Sequence, residues 1–205
     1  NSGQVCSATE RILVHERVHD AVVERLVTAA RAERLGMPDD PETTMGPLNN
    51  QPVAEKMDRH LADARAKGAR VLFGGRRAPG FPTDLFYEPT VVDGVTPDML
   101  LNTEETFGPV APVLTFRTYE EALAIADGCT LGLVSAVFTQ SMRDAFFFVE
   151  RLRAGIVCVN EFTDYWELHI PFGGASGKRS GVGRLGGRHT LMEMTDLKTV
   201  VLDLR

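Results

Sequence analysis

The 205 residues carry 43% hydrophobic and 24% charged side chains, the proportions of a folded globular chain rather than a disordered or fibrous one. Twenty-eight acidic against 22 basic residues leave a formal charge of −6, which argues against nucleic acid or an anionic membrane surface as the main partner. No stretch approaches the roughly 18 apolar residues of a spanning helix, and a chain this long buries roughly 70% of its unfolded surface without a disulfide or metal staple.

Residues 11–14 read as a short strand and 16–34 as a helix with Val18, Val22 and Leu26 on one face, stopped by Gly36 and Pro38. A loop rich in Pro, Asp and Thr leads to a second helix, whose apolar stripe is Val53, Met57, Leu61 and Ala64 and which Gly68 ends. The strand 70–73 follows, then a loop dense in Gly and Pro, then a strand over 86–92 that Pro89 places at an edge or bend. Val110 opens an apolar strand, 110–116, after which Thr118 and Glu121 make a capping box for a helix ending at Gly128. A second such strand spans 133–138, Ser141 caps a helix running to Arg153, and 156–159 is a third strand. This β-α-β-α-β order of nearly continuous apolar strands predicts an α/β fold, a parallel sheet with helices on both faces. After a long loop, 161–187, the chain closes with a terminal strand over 197–204, where Leu197, Val201, Val200, Leu202 and Leu204 put apolar side chains on both faces.

Three cysteines, Cys6, Cys129 and Cys158, show no ligand spacing and leave at least one free thiol, so no metal site and a reducing cytoplasm are expected. Taken singly each is a small packing residue. Cys129 at a helix end and Cys158 within a strand fit that role. Cys6 differs because it follows Gly3 and Gln4 in a polar turn, where a glycine lets a ligand approach the backbone. The run Glu104-Glu105-Thr106-Phe107-Gly108-Pro109-Val110 reads alone as a solvated loop with an aromatic plug. A glycine-rich run over 171–184 carries Lys178, Arg179 and Arg184 and has the donors to cradle a phosphate. It lacks the preceding strand and following helix of a P-loop or dinucleotide fingerprint, so a structural loop is its default.

Together these stretches are more specific. Asn1-Ser2-Gly3-Gln4-Val5-Cys6 ahead of Glu10-Arg11-Ile12, then Thr44-Met45-Gly46-Pro47-Leu48, the Glu104 to Val110 run, and Pro171-Phe172-Gly173-Gly174 followed by Ser180-Gly181-Val182-Gly183-Arg184 resemble the catalytic half of the aldehyde dehydrogenase superfamily. Order and spacing agree over the whole chain. The resemblance implies an NAD- or NADP-dependent oxidation of an aldehyde to a carboxylate through a thiohemiacetal and a thioester. Cys6 matches the nucleophile, its own N–H an oxyanion donor; Glu105 matches the carboxylate on the nicotinamide ribose, and Phe107 the aromatic beside the nicotinamide.

It also implies a catalytic domain over 1–196 and an oligomerisation strand over 197–205 that joins a neighbouring subunit in a homodimer or dimer of dimers. The family's general-base glutamate, oxyanion asparagine and coenzyme domain precede the cysteine and are absent from this chain, which starts on a polar turn without a methionine. The isolated 205 residues are therefore expected not to turn over. Leu185 stands where many relatives have a glutamate, and the glycine-rich run is two residues longer than the common form. The loop from Glu161 to Ile170 matches the aldehyde entrance, where Phe162, Tyr165 and Trp166 favour an apolar or aromatic aldehyde. Its length, with Thr163 and Glu167, resembles the benzaldehyde, salicylaldehyde and vanillin dehydrogenase branch. An aliphatic aldehyde stays open, as does a reading in which these aromatics face another domain or subunit; His169 reads as a bystander. The competing class is a binding or assembly module that keeps the fold without the chemistry. A third reading, a glutamyl phosphate reductase, is weighed against by the Pro-Phe-Gly-Gly run.

Overall fold

Strand β4 (Val110–Phe116) organises the first of two units, Asn1–Cys129 and Thr130–Arg205, into which the chain divides in a computed structural model describing residues 1–165 and 167–205. Its valines, leucine and proline are buried on both faces, as an interior strand of a parallel sheet requires. Strand β1 (Ile12–His15) runs parallel to it on one side and β3 (Thr90–Asp93) parallel on the other, while β2 (Arg70–Phe73) pairs antiparallel with β3 to complete the order β1-β4-β3-β2. Pro112 lacks an N–H to give the ladder, and it lies just before the part of β4 that β1 joins, which starts at Val113.

Helix α1 (His19–Ala32) follows a 3-10 turn at Glu16–Val18, and α2 (Gln51–Ala66) starts where the Asn50 side chain accepts from the Val53 N–H at 3.1 Å. Ala54, Met57, Leu61 and Ala64 are fully buried at helical spacing and pack with Tyr87, Val92, Val95, Met99, Leu101 and Leu114. The expected stripe thus turns slightly, with Ala54 buried and Val53 at its margin. In α1 the expected face is only half-buried, and Val18 is exposed. The strand expected over 86–92 begins at Thr90. Pro89 ends the pairing, and the stretch before it makes one bridge, Tyr87 with Arg77, while Phe86 and Tyr87 are buried for their bulk. A short helix α3 (Leu100–Thr103), which no periodicity announces, precedes β4. In α4 (Tyr119–Asp127) Thr118 accepts from the Glu121 N–H, and the Glu121 carboxylate reaches back to the Arg117 N–H at 2.8 Å.

In the second unit β5 (Val134–Val137) and β6 (Ile156–Val159) pair in parallel, with α5 (Met142–Arg151) as their crossover and α6 (Gly187–Glu193) later in the chain. The three apolar strands expected in one sheet therefore fall into two: β4 pairs with β1 and β3, β5 with β6. The expected terminal strand over 197–204 is not formed. Leu197, Val201 and Leu204 are exposed, because a single extended segment becomes a strand only with a partner and no described segment of this chain supplies one.

His19, at the start of α1, bonds Asp20 and the buried Asp93 at 2.8 Å each, and Arg70 bonds the other Asp93 oxygen at 2.5 Å. The bond to Asp20, then that to Asp93, raises the His19 pKa above 6.5. A raised folded value stabilises the fold fully below the unfolded value and loses that contribution as pH climbs through the folded one. His19→Gln is expected to lower the urea midpoint clearly at about pH 5.5 and much less at about pH 9. An equal loss at both would show that His19 contributes by shape alone.

Candidate active site

Residues 1–10 form a tight turn rather than a strand or helix. Ser2 and Gly3 take left-handed backbone, φ 54° and 72°, and bring the Gln4 N–H to the Asn1 carbonyl at 2.9 Å. The 46–49 stretch holds this turn from outside: the Ser2 hydroxyl donates to the Gly46 carbonyl at 2.9 Å, and the Gln4 side chain donates to the Pro47 carbonyl and accepts from the Asn49 N–H. Cys6 is exposed on this turn. Cys158 by contrast is buried, and burial pushes its thiol up; Cys129 is half-buried.

A second loop, 104–108, meets the turn at two places. Gly3 lies so close to Gly108 that a Cβ on Gly3 would stand 2.2 Å from the Gly108 oxygen. Glu10, four residues after Cys6, accepts from the N–H groups of Thr106 and Phe107, both at 2.8 Å, one with each carboxylate oxygen. Burial raises the Glu10 pKa, and those two bonds pull against it. Phe107 is held at φ 60°, a left-handed backbone costing a side chain of this size about 1–3 kcal/mol.

Helix α2 fixes the other side of the loop. Fully buried His60 meets the Thr106 hydroxyl at 3.1 Å through Nδ1 and the Glu104 carboxylate at 3.2 Å through Nε2, and Arg59 donates to Glu104 at 2.8 Å. Burial lowers the His60 pKa. The neutral ring satisfies both contacts by donating from Nε2 and accepting at Nδ1. The bond from His60 holds Glu104 below the usual carboxylate range. Glu105 stays exposed between these anchored neighbours. Arg11 adds a tether behind the turn, donating to the carbonyls of Ile125 and Ala126 at the end of α4, both at 3.0 Å.

The structure thus brings the segments of Cys6, Glu105 and Phe107 side by side. The anchors Glu10, Arg59 and His60 were not singled out as functional by sequence reasoning, since nothing in the spacing links Glu10 or α2 to residue 106. In the second unit the glycine-rich run is a packed loop: Phe172 and Leu185 bridge, and Arg184 caps the carbonyls of Gly174 and Gly183 at 2.8 Å. Gly155 is needed there, because a Cβ would stand 1.7 Å from the Gly173 oxygen. Phe162 and Tyr165 are exposed, Tyr165 donates to Glu167 at 3.0 Å, and His169 faces Glu167 at 3.3 Å; Trp166 lies outside the described residues.

The first unit is thus an α/β unit that presents an exposed thiol on a turn tied to an anchored carboxylate loop. Residues 1–200 match the Aldehyde dehydrogenase family, and the chain belongs to it. It is 41% identical over 201 residues to the mitochondrial succinate-semialdehyde dehydrogenase of Rattus norvegicus, covering 98% of this chain and 38% of the relative. Among solved structures, aldehyde dehydrogenase from Bacillus cereus (G224D mutant) superposes with a TM-score of 0.92 at 36% identity, over 100% of this chain and 40% of the other. Betaine aldehyde dehydrogenase from Staphylococcus aureus in complex with NAD+ gives 0.87 at 35% identity, over 94% and 38%. The chain therefore spans under two-fifths of the rat relative's length. Among the described residues, no helix is long and apolar enough to cross a membrane.

Proposed function

We propose that the protein to which this chain belongs oxidises an aldehyde to a carboxylate with NAD or NADP, and that Cys6 is its nucleophile. One observation carries the reading: the exposed Cys6 turn is locked onto the 104–108 loop by Glu10 and by the Gly3–Gly108 approach. The Cys6 thiolate attacks the carbonyl carbon, forming a C–S bond, while the Cys6 N–H receives the developing oxyanion. The coenzyme, when bound, supplies the hydride acceptor. Loss of hydride leaves a thioester on Cys6, which water cleaves to release the carboxylate and the thiol. Glu105 fits the ribose hydroxyls, because a carboxylate offers acceptors to both and this one is exposed on a loop fixed at each side. Phe107 supplies an apolar wall for the nicotinamide. Three cysteines without disulfide or ligand spacing support a reducing compartment such as the cytoplasm.

The test is formation of reduced nicotinamide by the complete protein with a panel of aldehydes and each coenzyme. Absence of turnover in every combination would leave the fold as an assembly module. We place the substrate among apolar or aromatic aldehydes. Phe162 and Tyr165, exposed on the 161–170 loop, support that class. Benzaldehyde should give a higher kcat/KM than succinate semialdehyde, the substrate named for the rat relative; the reverse order would reassign the class. The exposed 197–204 segment is proposed to pair with a neighbouring subunit in a homodimer or dimer of dimers, so its deletion should yield monomer or precipitate by sedimentation.

Glu105→Gln is expected to slow hydride transfer more than it weakens coenzyme binding, since the contact positions one end of a long ligand. Stopped-flow traces with an unchanged hydride step and a large rise in coenzyme Kd would refute that role.

A further inference from the structure

A carboxylate whose two oxygens accept from two consecutive backbone N–H groups fixes the peptide planes it touches, as a bound anion does in a backbone nest. Glu10 does this to Thr106 and Phe107. It acts on a loop whose Phe107 backbone is left-handed and relaxes if released. Arg59 and His60 hold the same loop at Glu104 and Thr106, but from a helix that carries no reacting group. Glu10 instead belongs to the short segment that bears the thiol, so its side chain, together with the Gly3–Gly108 approach, ties that segment to the loop.

We infer that Glu10 is a positioning residue, orienting the Glu105 carboxylate and the Phe107 ring toward the Cys6 turn. The inference rests on the dehydrogenase reading above. Glutamine keeps the shape but turns an NH2 toward one of the two N–H groups, so one bond is lost and a repulsion replaces it. Lys56 and Glu105 are the charged groups whose fields reach Glu10.

In the complete enzyme, Glu10→Gln should lower kcat on the order of tenfold to a hundredfold, with coenzyme Kd and aldehyde KM changed by no more than about threefold. The isotope effect on kcat with the 1-deuterated aldehyde should rise as hydride transfer becomes limiting, a change that a merely structural role would not produce. Amide exchange at Thr106 and Phe107 should quicken while the thermal midpoint moves little. A kcat within about twofold of wild type, or a fall in kcat matched by the thermal midpoint with the isotope effect unchanged, would overturn the positioning role. Should the wild-type protein oxidise no aldehyde, the dehydrogenase reading fails by itself; unchanged exchange at Thr106 and Phe107 in Glu10→Gln would then overturn the clamp separately.

Discussion

Cys6→Ala in the complete protein is expected to abolish aldehyde oxidation by at least about a thousandfold, because no other step can form the thioester once the sulfur is gone. Cys6 is exposed on a turn held by backbone and side-chain bonds from residues 1–4 and 46–49, none of which uses its thiol. Removal of the sulfur should therefore leave the turn, the 104–108 loop and coenzyme binding intact. The measurement is steady-state oxidation alongside a coenzyme titration. Activity kept within about tenfold of wild type would remove Cys6 from the nucleophile position.

Gly3→Ala should come next in size, although it touches no reacting atom. Its backbone is left-handed, which costs a side chain about 1–2 kcal/mol, and its new Cβ would sit 2.2 Å from the Gly108 oxygen. Backbone lies on both sides of that contact, so no side chain can swing away. The turn and the loop must part by about 1 Å, and a misplacement of that size costs about a hundredfold in rate. Gly68 is the control. It is equally left-handed, φ 93°, with open space where a Cβ would go, so Gly68→Ala should cost backbone strain without the activity. Equal rates in the two variants would show that the Gly3–Gly108 approach does not set the site.

The sequence was informative where one local force dominates. Met57, Leu61 and Ala64 lie on one helix face because their spacing leaves them nowhere else to go, and Thr118 with Glu121 starts α4 because the cap is made within four residues. It was silent where a long-range partner decides. Glu10, His60 and Arg59 look like ordinary polar residues until the chain brings residues 104–107 beside them. Apolar continuity marks 110–116, 133–138 and 156–159 as strands but cannot say which strand pairs with which, and here they divide between two sheets. The 197–204 segment alternates like a strand and forms none, because alternation describes faces and a strand needs a neighbour. The Cys6, Glu105 and Phe107 assignments came from motifs read together; the geometry adds what holds their segments side by side.

The tethers of the Cys6 turn reach far along the chain: Ser2 to Gly46, Glu10 to Thr106, and Arg11 to Ala126, separations of 44, 96 and 115 residues. Contacts so distant close large loops, and their entropy must be met before they give anything back. No hairpin or single helix of this chain can preassemble the site. The turn reaches its folded geometry only after the first unit has drawn together residues from its beginning, middle and end, so a partly folded chain carries an exposed thiol without the neighbours that fix its segment.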